Sequence, residues 1–149
     1  MPINPFLLSP TERLSDWRLF RQSLMALPEQ QQLTAVARYW SQAPLSRINY
    51  DPDQCPTIWQ MLHANQWSRD TVAIGMEATL RLAGMAASRM TLRLIRDASD
   101  ELLILVIDDT WALNYDWGSL RPYSMIVHSI LRQWQFAEKD YFTLGARHG

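Results

Sequence analysis

The chain has 149 residues, 48% hydrophobic and 19% charged, and its fourteen basic and fifteen acidic residues leave a formal net charge of −1. That composition excludes a disordered chain, and the absence of a long run of either sign leaves no footprint for nucleic acid. Cys55 is the sole cysteine, so there is no internal disulfide and no cysteine cluster to hold a structural zinc, which fits synthesis in a reducing, cytosolic compartment. At this length one domain, 1–149, is the default, and folding buries roughly 69% of the unfolded surface, enough for a core without staples. The start, Met1-Pro2-Ile3-Asn4-Pro5, lacks the basic and apolar segments of a signal peptide, and no apolar run is long enough to cross a bilayer. Solubility is expected.

Ser9-Pro10-Thr11-Glu12 is a capping box with proline at the first helical position. Leu14, Trp17, Phe20, Leu24 and Leu27 follow at spacings of three and four, the stripe of a helix with one buried face, and Pro28 breaks it. Leu33, Val36, Ala37 and Trp40 give a short second helix. Residues 41–56 carry Pro44, Pro52 and Pro56 among Asn49, Asp51 and Asp53 and are expected to form an ordered surface loop. Ile58, Met61 and Leu62 fit two further turns of helix.

The clearest helix follows Trp67-Ser68-Arg69-Asp70, with Ser68 or Asp70 as its cap. Val72, Met76, Leu80 and Ala83 make its apolar face, Ile74 and Leu82 widen it, and Gly84 stops it, so this helix is expected to be central. The period then drops to two. Met90, Leu92 and Leu94 alternate with polar residues as a strand with one wetter face, and Leu102 to Ile107 is the continuous apolar run of a strand covered on both sides. Asp108-Asp109-Thr110 turns the chain into Trp111-Ala112-Leu113-Asn114-Tyr115, a hairpin partner. Met125 to Trp134 fits neither period cleanly and is assigned to strand, and Tyr141-Phe142-Thr143-Leu144 to a terminal strand. Helices first and strands after predict an α+β domain.

The residues offer little catalytic material by themselves. The histidines are His63, His128 and His148. Cys55 and His63 are separated by Pro56 and a short helix with no signal that they converge, and neither His63 nor His128 sits in a metal-binding spacing. Phosphate-loop and dinucleotide signatures are absent, and no cofactor or metal is expected.

From Trp67 to Gly118, the best-supported core (67–118), the chain resembles the transglutaminase-like superfamily, in particular the bacterial transglutaminase-like cysteine proteinases. Members carry G-x-C-E/D-D-Y/F-A at the start of a central helix that ends in L-x-x-x-G, then a strand opening with His, then W-x-L-D-N. The matching text is Trp67-Ser68-Arg69-Asp70-Thr71-Val72-Ala73, Leu80-Arg81-Leu82-Ala83-Gly84, Glu101 to Val106, and Trp111-Ala112-Leu113-Asn114-Tyr115. The resemblance implies amino-terminal helices packed on a mainly antiparallel sheet with a papain-like core. It puts Ser68 at the position of the nucleophilic cysteine, Glu101 or, with a one-residue shift, Leu102 at that of the histidine, and Asn114 at that of the aspartate. All three chemical positions are altered, so the resemblance implies a degenerate, non-catalytic relative.

Read apart from the resemblance, Ser68 and Asp70 cap a helix, Glu101 is an exposed carboxylate paired to Arg89 or Arg93, and Asn114 serves a turn. Seven tryptophans are too many for one small core to bury fully, so some are expected at a groove or interface. Trp111 is the best core candidate; Trp59 and Trp117, with Arg121 and Arg132, are the interface candidates. The residue pattern also resembles small proteins of tailed bacteriophages, especially those of cyanobacteria, some of which keep cysteine at the position of Ser68. The expectation is therefore a non-enzymatic virion part of the neck, tail or baseplate. It would be made in the host cytoplasm and held by other protein subunits, with no nucleic-acid partner and no membrane insertion. The alternative is a peptidase or amidase using Ser68 with Glu101 as base, or a displaced Cys55 with His63 or His128.

Overall fold

A computed structural model describes residues 4–46 and 56–135. Helix α1 (Pro10–Leu24) starts on the Ser9–Glu12 capping box. Pro28 is the N-cap of α2 (Glu29–Trp40), so the proline that ends one apolar stripe also opens the next helix. α3 (Ile58–Ala64) is capped reciprocally by Thr57 and Gln60 and ends on Asn65 in the left-handed region. α4 (Arg69–Leu82) is buried at every residue from Thr71 to Leu80. Gly84, at φ +115°, then turns the chain with a conformation that glycine adopts without strain.

The strands are β1 (Met90–Asp97), β2 (Asp100–Ile107), β3 (Trp111–Leu113), β4 (Leu120–Pro122) and β5 (Ser129–Trp134), in the order β4-β3-β2-β1-β5 with every pairing antiparallel. The fold is thus α+β, amino-terminal helices on an antiparallel sheet. β2 is central for the reason its sequence suggests: Leu103, Leu105 and Ile107 join the helix-side core, and Ile104 and Val106 join Ile95, Ala112 and Ile126 on the opposite face. Within residues 125–134 only the last six form strand; a 3-10 turn at Tyr123–Met125 accounts for the broken periodicity before them.

Trp17, Trp40 and Trp67 are wholly buried, and Trp111 is partly buried against the same core. The indole N–H groups of Trp17 and Trp40 both donate to Thr79 Oγ1 at 3.0 Å, and that hydroxyl donates to the Gly75 carbonyl at 2.6 Å. One threonine therefore satisfies two buried indoles. The proposed terminal strand 141–144, Cys55, His148 and most of the proline-containing loop 41–56 lie outside the described residues. Among the described residues, no helix is long and apolar enough to cross a membrane.

Candidate active site

Ser68 is the N-cap of α4. Its Oγ accepts from the Thr71 amide at 3.1 Å, and Thr71 Oγ1 accepts from the Ser68 amide at 2.7 Å, a reciprocal cap that leaves Ser68 only 7% exposed. The single cap bond goes to Thr71, so Ser68 does not cap the amides of Arg69 and Asp70 in the positive first turn of the helix.

β2 and β3 meet this helix end through a gap in the sheet. The β2–β3 ladder pairs Leu105 with Leu113 and stops there, so the β3-facing backbone groups of Leu103 lose their strand partner. Side chains take them instead: Asp70 Oδ1 accepts from the Leu103 amide at 3.1 Å, and Asn114 Nδ2 donates to the Leu103 carbonyl at 2.9 Å. Asn114 is wholly buried, sits at φ +72° and also donates to the Arg69 carbonyl at 2.7 Å. The Arg69 guanidinium returns the contact, with Nε on Asn114 Oδ1 at 3.3 Å and Nη2 on the carbonyls of Asn114 and Tyr115 at 3.0 and 2.9 Å. Asn114, at the position matched to the family's aspartate, is therefore in direct contact with Arg69, the residue that follows Ser68.

Glu101, matched to the histidine, shares a cleft with Arg69. That cleft, of about 430 Å³, is lined by Arg69, Asp97, Asp100, Glu101, Leu102, Tyr115 and Asp116. Glu101 is exposed and paired with Arg96 at 3.0 Å, its direct cross-strand partner in the β1–β2 register. This corrects the expected pairing with Arg89 or Arg93, which reach Glu29 and Asp108, and Asp109, respectively. Tyr115 donates to Asp97 across the cleft, joining the loop after β3 to the β1–β2 turn.

Burial pushes the Asp70 carboxyl up from the ordinary carboxylate value. The Leu103 amide and the Arg69 charge oppose that shift, and the like charge of Glu101 adds to it. Burial lowers Arg69, against the pull of Asp116 and Asp70. The hydrogen bond to Asp97, first, and then burial raise the Tyr115 phenol. Sequence reasoning treated Asp70 only as a possible cap and passed over Arg69 and Tyr115. The signals available were their places directly after Ser68 and Asn114.

The other candidates stand apart. His63 is exposed in the last turn of α3, and His128 is held by the Tyr123 hydroxyl at 2.7 Å and the Ile126 carbonyl at 2.8 Å; neither lines the cleft. Trp59 is 46% exposed, edge-on to Trp17, and Trp117 is 36% exposed with its indole on the Ser41 carbonyl. Arg121 pairs with Asp116, and Arg132 lies over Trp134 at 4.7 Å. Among the described residues no group of three or more histidine, cysteine or carboxylate side chains is arranged to hold a metal ion.

Among solved structures the chain matches Legionella pneumophila LapG with a TM-score of 0.74 and 14% identity, over 85% of this chain and 75% of that one. The chain has the fold of LapG. The EGTA-treated form of Legionella pneumophila LapG matches with the same TM-score and identity, over 74% of its length. No family model matches the chain, and no curated protein matches it. The shared fold is the transglutaminase-like, papain-like one.

That match corrects the expectation of a non-catalytic phage virion component, with its neck, tail or baseplate role and its virion location. Over most of its length the chain shares its architecture with a bacterial protein, and the fold is the transglutaminase-like, papain-like one that the sequence resemblance implies. The likeness to phage proteins rested on residue pattern alone, which carries no packing information.

Proposed function

We propose that the chain is a hydrolase of the peptidase or amidase class, with its reaction centre where the amino terminus of α4 meets β2 and the end of β3. The observation that supports this reading is the set of hydrogen bonds by which Asp70, Arg69 and Asn114 tie the amino terminus of α4 to Leu103 and the end of β3, next to an open cleft that Arg69 lines, in a fold shared with LapG. Ser68 Oγ is the nucleophile: it leaves its contacts with the Thr71 amide and hydroxyl and forms a C–O bond to an amide carbonyl as its proton passes to the base. The C–N bond then breaks, the base returns the proton to the leaving amine, and water hydrolyses the acyl ester. The amides of Arg69 and Asp70 lie at the positive helix end, where an oxyanion is stabilised. The proposed proton acceptor is Asp70, on the first turn of the same helix, whose carboxylate has to come within hydrogen-bond reach of Ser68 Oγ in the substrate complex; burial raises its pKa, which strengthens it as a base. It replaces Glu101 in that role, since Glu101 is exposed and held by Arg96.

A fluorophosphonate probe tests the reading. The wild-type chain is expected to label on the peptide that contains Ser68, Ser68→Ala to lose the label, and Asp70→Asn to label more slowly while remaining folded. A folded wild-type chain that neither labels nor hydrolyses any member of a peptide and amide library refutes it.

A further inference from the structure

The resemblance places a carboxylate after the nucleophile, and this chain has Arg69 there. An arginine on the first turn of a helix is unfavourable to the helix dipole, so its cost has to be offset by contacts elsewhere. Those contacts are specific. Three hydrogen bonds run to Asn114 and Tyr115, and the guanidinium carbon lies 5.1 Å from the centre of the Trp117 ring. Trp117 is tied in turn to the Ser41 carbonyl at 3.1 Å, just past the end of α2. A single planar cation therefore spans the helix end, the close of β3 and the loop that forms one wall of the cleft.

We infer that Arg69 is a positioning residue of the reaction centre: it holds the Asn114–Trp117 loop in register with the amino terminus of α4. Its catalytic consequence rests on the hydrolase reading above. Arg69 acts through geometry, by fixing where Asn114 and Tyr115 stand relative to Ser68. Lysine cannot do this, because an ammonium on a flexible stem cannot meet two carbonyls and an amide oxygen in one plane while stacking on an indole.

The test compares wild type with Arg69→Lys and Arg69→Ala. Three quantities are measured: melting temperature, the fluorophosphonate labelling rate constant at saturating probe, and the indole N–H resonance of Trp117, assigned with Trp117→Phe. The expected result is a fall of roughly tenfold or more in the saturating rate constant for both variants, with little change in the probe concentration giving half the maximal rate. The Trp117 resonance moves while those of Trp17 and Trp40 stay in place. Free guanidinium at a non-denaturing concentration restores part of the rate to Arg69→Ala and none to Arg69→Lys, whose ammonium fills the site.

Variants that melt at lower temperature but label at the wild-type saturating rate overturn the inference and leave Arg69 a structural residue. An unmoved Trp117 resonance overturns it as well. A wild-type chain that does not label removes the hydrolase reading, and the positioning role with it. A wild type that labels beside an equally active Arg69→Lys removes only the inference about Arg69.

Discussion

Replacing Thr79 with valine tests the way this chain buries its tryptophans. The side chain is wholly enclosed, and its hydroxyl is the hydrogen-bond partner of both the Trp17 and the Trp40 indole N–H groups, each at 3.0 Å. Valine keeps the volume and removes the acceptor, so two donors lose their partner at once. Each buried orphan donor costs about 1–3 kcal/mol, which sets the expected loss at about 2–6 kcal/mol. A domain of this kind has about 5–15 kcal/mol in all. Urea unfolding followed by far-ultraviolet circular dichroism measures it: with a slope of about 2 kcal/mol per molar, even the lower bound moves the midpoint by about 1 M. Thr79→Ser, which keeps the oxygen and loses one methyl, should cost about 1 kcal/mol. If Thr79→Val unfolds within about 0.5 kcal/mol of wild type, water or a shifted partner satisfies the indoles and the argument fails.

Other perturbations have equally definite outcomes. A Cβ on Gly75 would lie 2.5 Å from the buried Trp40 ring, so Gly75→Ala should destabilise by about 1–3 kcal/mol despite the better helix propensity of alanine, read as a lowered melting temperature. Arg89 holds the carboxyls of Glu29 and Asp108 below their ordinary values of 4.5 and 3.8. A depressed folded-state pKa gives stability that is present above the unfolded value and lost as pH falls through the folded one. Acid titration of stability should therefore steepen below about pH 4.5, and Arg89→Ala should flatten that limb. All three groups are substantially exposed, so added salt should weaken the effect. Asp70 has the opposite sign. Its pKa is raised, so its ionisation works against the fold as pH rises through the folded value, and Asp70→Asn should be neutral or stabilising at pH 7 while it slows labelling.

Much of the fold is visible in local pattern. The Ser9–Glu12 box, the stripes in 14–40 and the switch from a period near four to a period of two after Gly84 place α1, α2, α4, β1 and β2 near their observed bounds. Local pattern failed where a residue's partner is distant. Arg13 has an ordinary polar place in the α1 sequence, yet it is buried because its guanidinium reaches the Leu8 and Leu62 carbonyls. β4 is three residues long and among the described residues pairs only with β3, too little for a periodic signal. At the site, the family motifs locate Ser68 and Asn114, but what Asn114 does depends on Leu103 lacking a partner on β3, a property of the folded sheet. No spacing in the sequence shows that Arg69 will find carbonyls forty-five and forty-six residues away.

The three substituted positions differ from Asp70 in one physical respect. Ser68 completes a helix cap, Asn114 stitches β2 to α4, and Glu101 sits opposite Arg96, so each is accounted for by the contact it makes. The contact of Asp70 is the acceptance of one amide bond from Leu103, which the oxygen of an asparagine makes equally well without burying a charge. A carboxylate there carries a desolvation penalty that the fold does not require. Perturbed titratable groups occur in structural networks as well as at reaction centres, and the hydrolase proposed above gives Asp70 the second role. The case for catalysis thus turns on Asp70 more than on Ser68: if Asp70→Asn both stabilises the chain and leaves labelling of Ser68 unchanged, the penalty has no functional return and the hydrolase reading loses its base.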